Sequence, residues 1–164
     1  MAGMEPKKLS REKLADGSVL LFLKERFQDD MNEDNLIELM QVLRDSILLV
    51  PMKVLMSAAD AERMRLYEEN MKFVAESDIQ VVPATATLED QNYMFIFSQP
   101  EQIPVDYSDA VSIMRIPWEK VYQYFIDDEG IYGIVLDPFT ENLEIPEELI
   151  HAISRMDSAL VDEA

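Results

Sequence analysis

The sequence predicts an α+β domain with a mixed, largely antiparallel sheet of about five strands flanked by helices. Two features point there. Segments with apolar residues at helical spacing alternate with short runs of branched side chains, and prolines or acidic turns fall between them. The chain is also of single-domain size, with 164 residues of which 48% are hydrophobic, enough to bury a core without disulfide staples.

The first eight residues are polar. A helix is expected from about Leu9 to Phe27, with Leu14, Val19, Leu23 and Phe27 on its inner face and a break at Asp16-Gly17-Ser18. Asn32 can cap a second helix, Glu33 and Asp34 suit its positive end, and Leu36, Leu39, Met40, Leu43 and Ile47 recur at its spacing. Ile47–Val50 is short and branched, hence a buried strand, and Pro51 predicts an edge or a bulge before Met52–Met56. Ser57 caps a further predicted helix to about Ala75.

Two strands, Ile79–Val82 and Ala84–Leu88, flank Pro83, and a turn at Glu89–Asn92 returns the chain through Tyr93–Phe97 as a hairpin. Gln99–Tyr107 reads as loop or one helical turn, and Val111–Ile116 as a strand. Pro117 opens a helix to about Ile126, Asp127–Gly130 turns the chain, and Ile131–Leu136 is a strand. Pro138–Leu143 reads as loop, and Pro146 opens the last helix to about Met156.

Cysteine is absent, which removes disulfides, thiolate metal sites and a cysteine nucleophile and fits a reducing compartment. The apolar run Val19–Leu23 is followed at once by Lys24 and Glu25, too short for a signal peptide core or a membrane span, so the expected location is the cytoplasm. The net charge of −19 is uneven: residues 78–164 carry only Arg115, Lys120 and Arg155 against 18 acidic side chains, a local balance of −15. Such a surface repels nucleic acid and anionic lipid, whose binding depends on cations. It serves solubility, or it docks a basic partner.

No catalytic constellation is found. Glu148 and His151 have the Glu-x-x-His spacing of di-iron bundles, which use it twice, whereas His151 is the single histidine. Asp127–Gly130 fails as a calcium loop because Phe125 stands where an oxygen ligand is needed. Ser10-Arg11-Glu12-Lys13 fits Ser-x-x-Lys but lacks its companion motifs, and Ser10 reads as a helix cap. The four glycines form no phosphate loop, and the 11 methionines read as core filler. No cofactor or metal site is expected.

From about Asn32 to Ile153 the order of elements resembles the N-terminal domain of the bacterial SseB family (enhanced serine sensitivity protein B). The landmarks are Val50-Pro51, Pro83, Phe97-Ser98 followed by Glu101, and Gly133-Ile134-Val135-Leu136-Asp137-Pro138-Phe139. The threonine of the family's Phe-Thr-Ser is missing, Asp137 stands for its asparagine, and the helix at Ser57–Ala75 and the leading 31 residues are additions. The resemblance implies a fold rather than an activity. It divides the chain into a helical extension at 1–31 and an SseB-like domain at 32–164.

The function expected is a non-catalytic interaction or adaptor module that binds a basic protein, such as a toxin or a regulator, through its acidic half. Glu141, Glu144, Glu147 and Glu148 are the candidate contacts. Phe97, Ser98 and Glu101, at the hairpin end, are candidates for a small ligand or peptide groove; otherwise Phe97 is core and Ser98 caps the turn at Pro100. Val19–Phe22 offers a contact to a second copy of the chain, as a homodimer, or packs on the domain's own core. A small-molecule sensor and an enzyme of unrecognised type are the alternatives.

Overall fold

The structure, a computed structural model, describes residues 10–55, 58–59, 62, 80–108 and 111–160. The helix expected at Ser57–Ala75 lies largely outside them. In chain order the elements are α1 (Arg11–Leu14), α2 (Ser18–Asp29), α3 (Glu33–Asp45), β1 (Ile47–Leu55), β2 (Gln80–Pro83), β3 (Thr85–Leu88) and β4 (Gln91–Ile96). A 3-10 turn (Pro100–Gln102), α4 (Val105–Ser108), β5 (Ser112–Pro117), α5 (Trp118–Asp127), β6 (Ile131–Leu136), β7 (Leu143–Pro146) and α6 (Glu147–Arg155) follow.

The α+β class holds, with seven strands among the described residues in place of about five, and two sheets in place of one. One sheet has the order β2-β1-β5, the other β3-β4-β6-β7, and β4 with β6 is the parallel pair. The Leu49–Phe97 bridge joins them, its two backbone hydrogen bonds measuring 3.0 and 2.8 Å. Pro51 is neither an edge nor a bulge: β1 runs straight through it as the central strand. Odd residues of β1 bond towards Phe97 and β2, and the Pro51 carbonyl accepts from Ala84 at 2.8 Å. Its missing N–H therefore falls between the Phe97 bridge and β2, where the ladder passes from one partner to the next. Pro83 ends β2 at the same place, so the two halves around it belong to different sheets.

Helices cover one face of both sheets. Leu39, Val42, Leu43, Trp118, Val121, Phe125, Ile150 and Ile153 are buried with Leu48, Val50, Met52, Met94, Ile96, Ile134, Leu136 and Ile145. Alternation along β4 puts Met94 and Ile96 in that core and Tyr93 and Phe95 on the opposite face. There Phe97 and Val135 join them in a second, smaller cluster capped by Ile103, Tyr107 and Phe139. The methionines divide: Met52 and Met94 fill core, while Met31 and Met114 are exposed.

The helix ends follow local chemistry. Ser10 accepts from the Lys13 amide, and Asn32 from the Asn35 amide at 2.8 Å, as N-caps do. Gly17 stands between α1 and α2 in the left-handed region (φ 77°), where a Cβ would run into the Ser98 carbonyl. Leu14, Leu20 and Leu23 share the main core, which therefore runs across the boundary expected at Asn32.

A buried ion pair holds α2 in place. Lys24, 1% exposed, donates to Oδ2 of Asp137, 0% exposed, at 2.8 Å and to the Glu141 carbonyl at 2.9 Å. The amide of Ser98 donates to Oδ1 of the same carboxylate at 2.9 Å, and its hydroxyl to Oδ2 at 2.8 Å. Asp137 itself has φ 53°, a conformation that asparagine and aspartate tolerate better than most residues.

Two expectations follow for stability. Lys24→Met leaves the Asp137 carboxylate buried and unpaired and should cost about 3–5 kcal/mol in urea unfolding. Adding Asp137→Asn should recover much of that loss, because the amide can still meet Ser98; two additive losses would refute the pairing. Gly17→Ala combines backbone strain with a clash at Ser98 and should lower stability by more than about 1 kcal/mol; an unchanged urea midpoint would contradict this geometry.

Candidate interaction surface

The residues singled out from the sequence separate into two groups. Phe97 and Ser98 are interior: Phe97 stacks on Phe139 and packs at a tilt against Tyr107, and Ser98 gives both its donors to Asp137. Neither side chain can line an open groove in this arrangement. Glu101 is exposed on the 3-10 turn, and Thr140 donates to Gln102, which draws that turn towards the β6–β7 loop.

Glu141, Glu144, Glu147 and Glu148 are all exposed and lie along the β6–β7–α6 path at the edge of the four-stranded sheet, where β7 is the last strand. Lys24 and Gln28 hold the loop through its backbone, Gln28 donating to the Glu141 and Asn142 carbonyls at 3.2 and 3.1 Å. The Glu141 side chain is thus left to solvent while its carbonyl is anchored. Glu147 and Glu148 occupy the first turn of α6, where the helix dipole favours negative charge.

Glu144 differs from its neighbours. It pairs with Val135 in the ladder, so its side chain rises on the aromatic outer face of the sheet rather than over the helices. There its carboxylate accepts a hydrogen bond from the Tyr93 hydroxyl at 3.1 Å. The register between β4 and β6 shifts beside Tyr93, and Tyr132 stands at that irregularity, edge-on to Tyr93 with ring centroids 5.6 Å apart. Burial of the ring, the bond to Glu144 and the charges of Glu144 and Glu89 hold the Tyr93 phenol above its ordinary value.

The remaining candidates are committed elsewhere. His151 Nδ1 lies 2.8 Å from the Tyr122 hydroxyl and its Nε2 lies 3.4 Å from Glu147, with Tyr122 and Phe125 packed edge-on to its ring. Leu20 and Leu23 of α2 are core, whereas Phe22 is 61% exposed and borders an open cleft of about 390 Å³ with Glu25, Arg26, Asp29, Asp30, Asn32 and Asn35. Among the described residues no group of three or more histidine or carboxylate side chains is placed to hold a metal ion, and no helix is long and apolar enough to cross a membrane.

No protein-family model, no curated protein and no solved structure matches the chain. The resemblance to the SseB family rests on the sequence landmarks alone.

The Tyr93–Glu144 contact can be read directly. Because the raised value reflects a phenol kept neutral in the folded state, its contribution to stability is intact below about pH 10 and is lost as pH rises through the raised value. Glu144→Gln should move the Tyr93 titration back towards the ordinary tyrosine range, followed by phenolate absorbance with Tyr93→Phe to identify the signal. An unchanged curve would mean that the two groups do not interact.

Proposed function

We propose that this domain is a non-catalytic interaction module that captures a basic protein partner through the acidic edge formed by the β6–β7 loop, β7 and the first turn of α6. The observation that carries the reading is the one-sided charge of residues 78–164, whose balance is −15. Two of its carboxylates are answered from outside the segment, Asp137 by Lys24 at 2.8 Å and Glu119 by Arg44 at 3.0 Å. Arg115 donates to the Ala15 carbonyl at 3.1 Å, and Lys120 lies 5.1 Å above the Tyr124 ring. Glu89, Asp90, Glu101, Glu119, Asp127, Asp128, Glu129 and the four glutamates from 141 to 148 are exposed.

Ionised side chains stay at the surface unless paired, so the exposed carboxylates form a field facing outward. At physiological salt it reaches about 8 Å, which speeds encounter with a basic surface and excludes acidic ones. The non-catalytic part of the proposal is supported by where the polar groups go. Ser98, Asp137 and Lys24 consume one another's hydrogen bonds in the interior, and His151 is held between aromatic rings.

The test is capture from the native cell with the wild-type domain, followed by association kinetics on the partner. A basic partner is expected, whose association rate falls as salt rises. Changing Glu141, Glu144, Glu147 and Glu148 together to Lys should slow association by about tenfold or more while leaving thermal unfolding cooperative. An acidic partner, or an association rate indifferent to salt, would refute the proposal.

A further inference from the structure

We infer that the outer face of the four-stranded sheet carries a built seat for an arginine side chain of the partner, made by the Tyr132 ring, the Tyr93 phenol and the Glu144 carboxylate. The inference rests on the basic-partner reading and narrows it from a charged edge to one point of attachment.

The construction crosses three strands. Tyr93 belongs to β4 and Glu144 to β7, with β6 between them. For the phenol to reach Glu144 its ring must lie over β6, and the residue opposite Tyr93 there is Gly133. A Cβ at Gly133 would stand 3.3 Å from the Tyr93 ring and 3.3 Å from the Ile145 carbonyl, so glycine leaves the space the ring occupies. The result is a ring packed over Gly133, 8% exposed, with a carboxylate at its polar end.

Tyr132 forms the wall. Its ring stands at 81° to Tyr93 and is 53% exposed, a large aromatic surface held by a neighbour yet left facing water. A second carboxylate, Glu89, is exposed in the turn between β3 and β4, near the start of the strand that carries Tyr93. Among the described residues no cation answers these charges on this face.

Tyr93 links the exposed Tyr132 ring to the Glu144 carboxylate, and that combination suits a cation that can use both at once. A guanidinium stacks on the ring through its plane while its N–H groups meet the carboxylate, whereas an ammonium offers a compact, more strongly hydrated charge. Arginine is therefore the preferred occupant.

The whole chain should be titrated at low salt with an oligoarginine peptide and, separately, an oligolysine peptide, following backbone amide signals by NMR. Oligoarginine is expected to bind more tightly than oligolysine, with the largest shifts at Tyr93, Tyr132, Gly133 and Glu144. Tyr132→Leu should weaken oligoarginine binding by about two- to fivefold, with little effect on oligolysine, and Tyr132→Phe should retain it. Equal affinity for the two peptides, with shifts spread over Asp127, Asp128, Glu147 and Glu148, would overturn the arginine seat and leave the basic-partner reading standing. No binding of either peptide would overturn both.

Discussion

The arrangement depends most on one buried contact, the ion pair of Lys24 with Asp137. Taking both charges out of water is costly, and it is tolerated because each remaining polar atom is met: Lys24 also donates to the Glu141 carbonyl, and Asp137 also receives both donors of Ser98. The four residues come from α2, from the end of β4 and from the loop after β6. One carboxylate thus decides where the leading helix lies, where the hairpin strand stops and how the β6–β7 loop is presented. That carboxylate sits on a residue with a left-handed backbone, a strain the surrounding bonds hold in place.

From that anchor the surface takes its form. The backbone of the β6–β7 loop is tied inward by Lys24 and Gln28, so the side chains of Glu141 and of β7 are offered at a fixed position rather than on a wandering loop. Strand alternation then separates two tasks on the same strands. Met94, Ile96, Ile134 and Ile145 fill the helix-covered core, while Tyr93, Tyr132 and Glu144 occupy the other face. The rigidity of the sheet is inherited by the aromatic and acidic groups standing on it, which lowers the cost of ordering them in a complex.

Much of this was legible in the residues, and the failures have physical reasons. The caps at Ser10 and Asn32, the break at Gly17, the strand Ile131–Leu136 and the helices after Pro117 and Pro146 follow from local chemistry, and the structure has them. Strand β7 did not stand out because Leu143–Pro146 is four residues long, carries an acid and ends in proline; it is a strand through pairing with β6. Pro51 suggested an interruption because the side on which its missing donor would fall is a tertiary fact. In the sequence Lys24 is only the charge that ends the apolar run Val19–Leu23, and its partner lies 113 residues away. Ser98 and Glu144 stand out by residue type, and their surroundings are tertiary facts: one is interior, and the other rises beside two tyrosines.

The same separation shapes how the molecule is made. A chain grows from its N-terminus, and domains assemble as their parts leave the ribosome. Helix α2 emerges with Leu20, Leu23 and Lys24 while Asp137 and the Glu141 carbonyl are still unmade, so nothing yet neutralises the lysine on its apolar face. Burying an unpaired ammonium is costly, so the docked position of α2 is less favourable before Asp137 exists than in the finished domain. The partners of Lys24 follow it by 113 and 117 residues, so the contact that fixes α2 becomes available only after most of the sheet has been made.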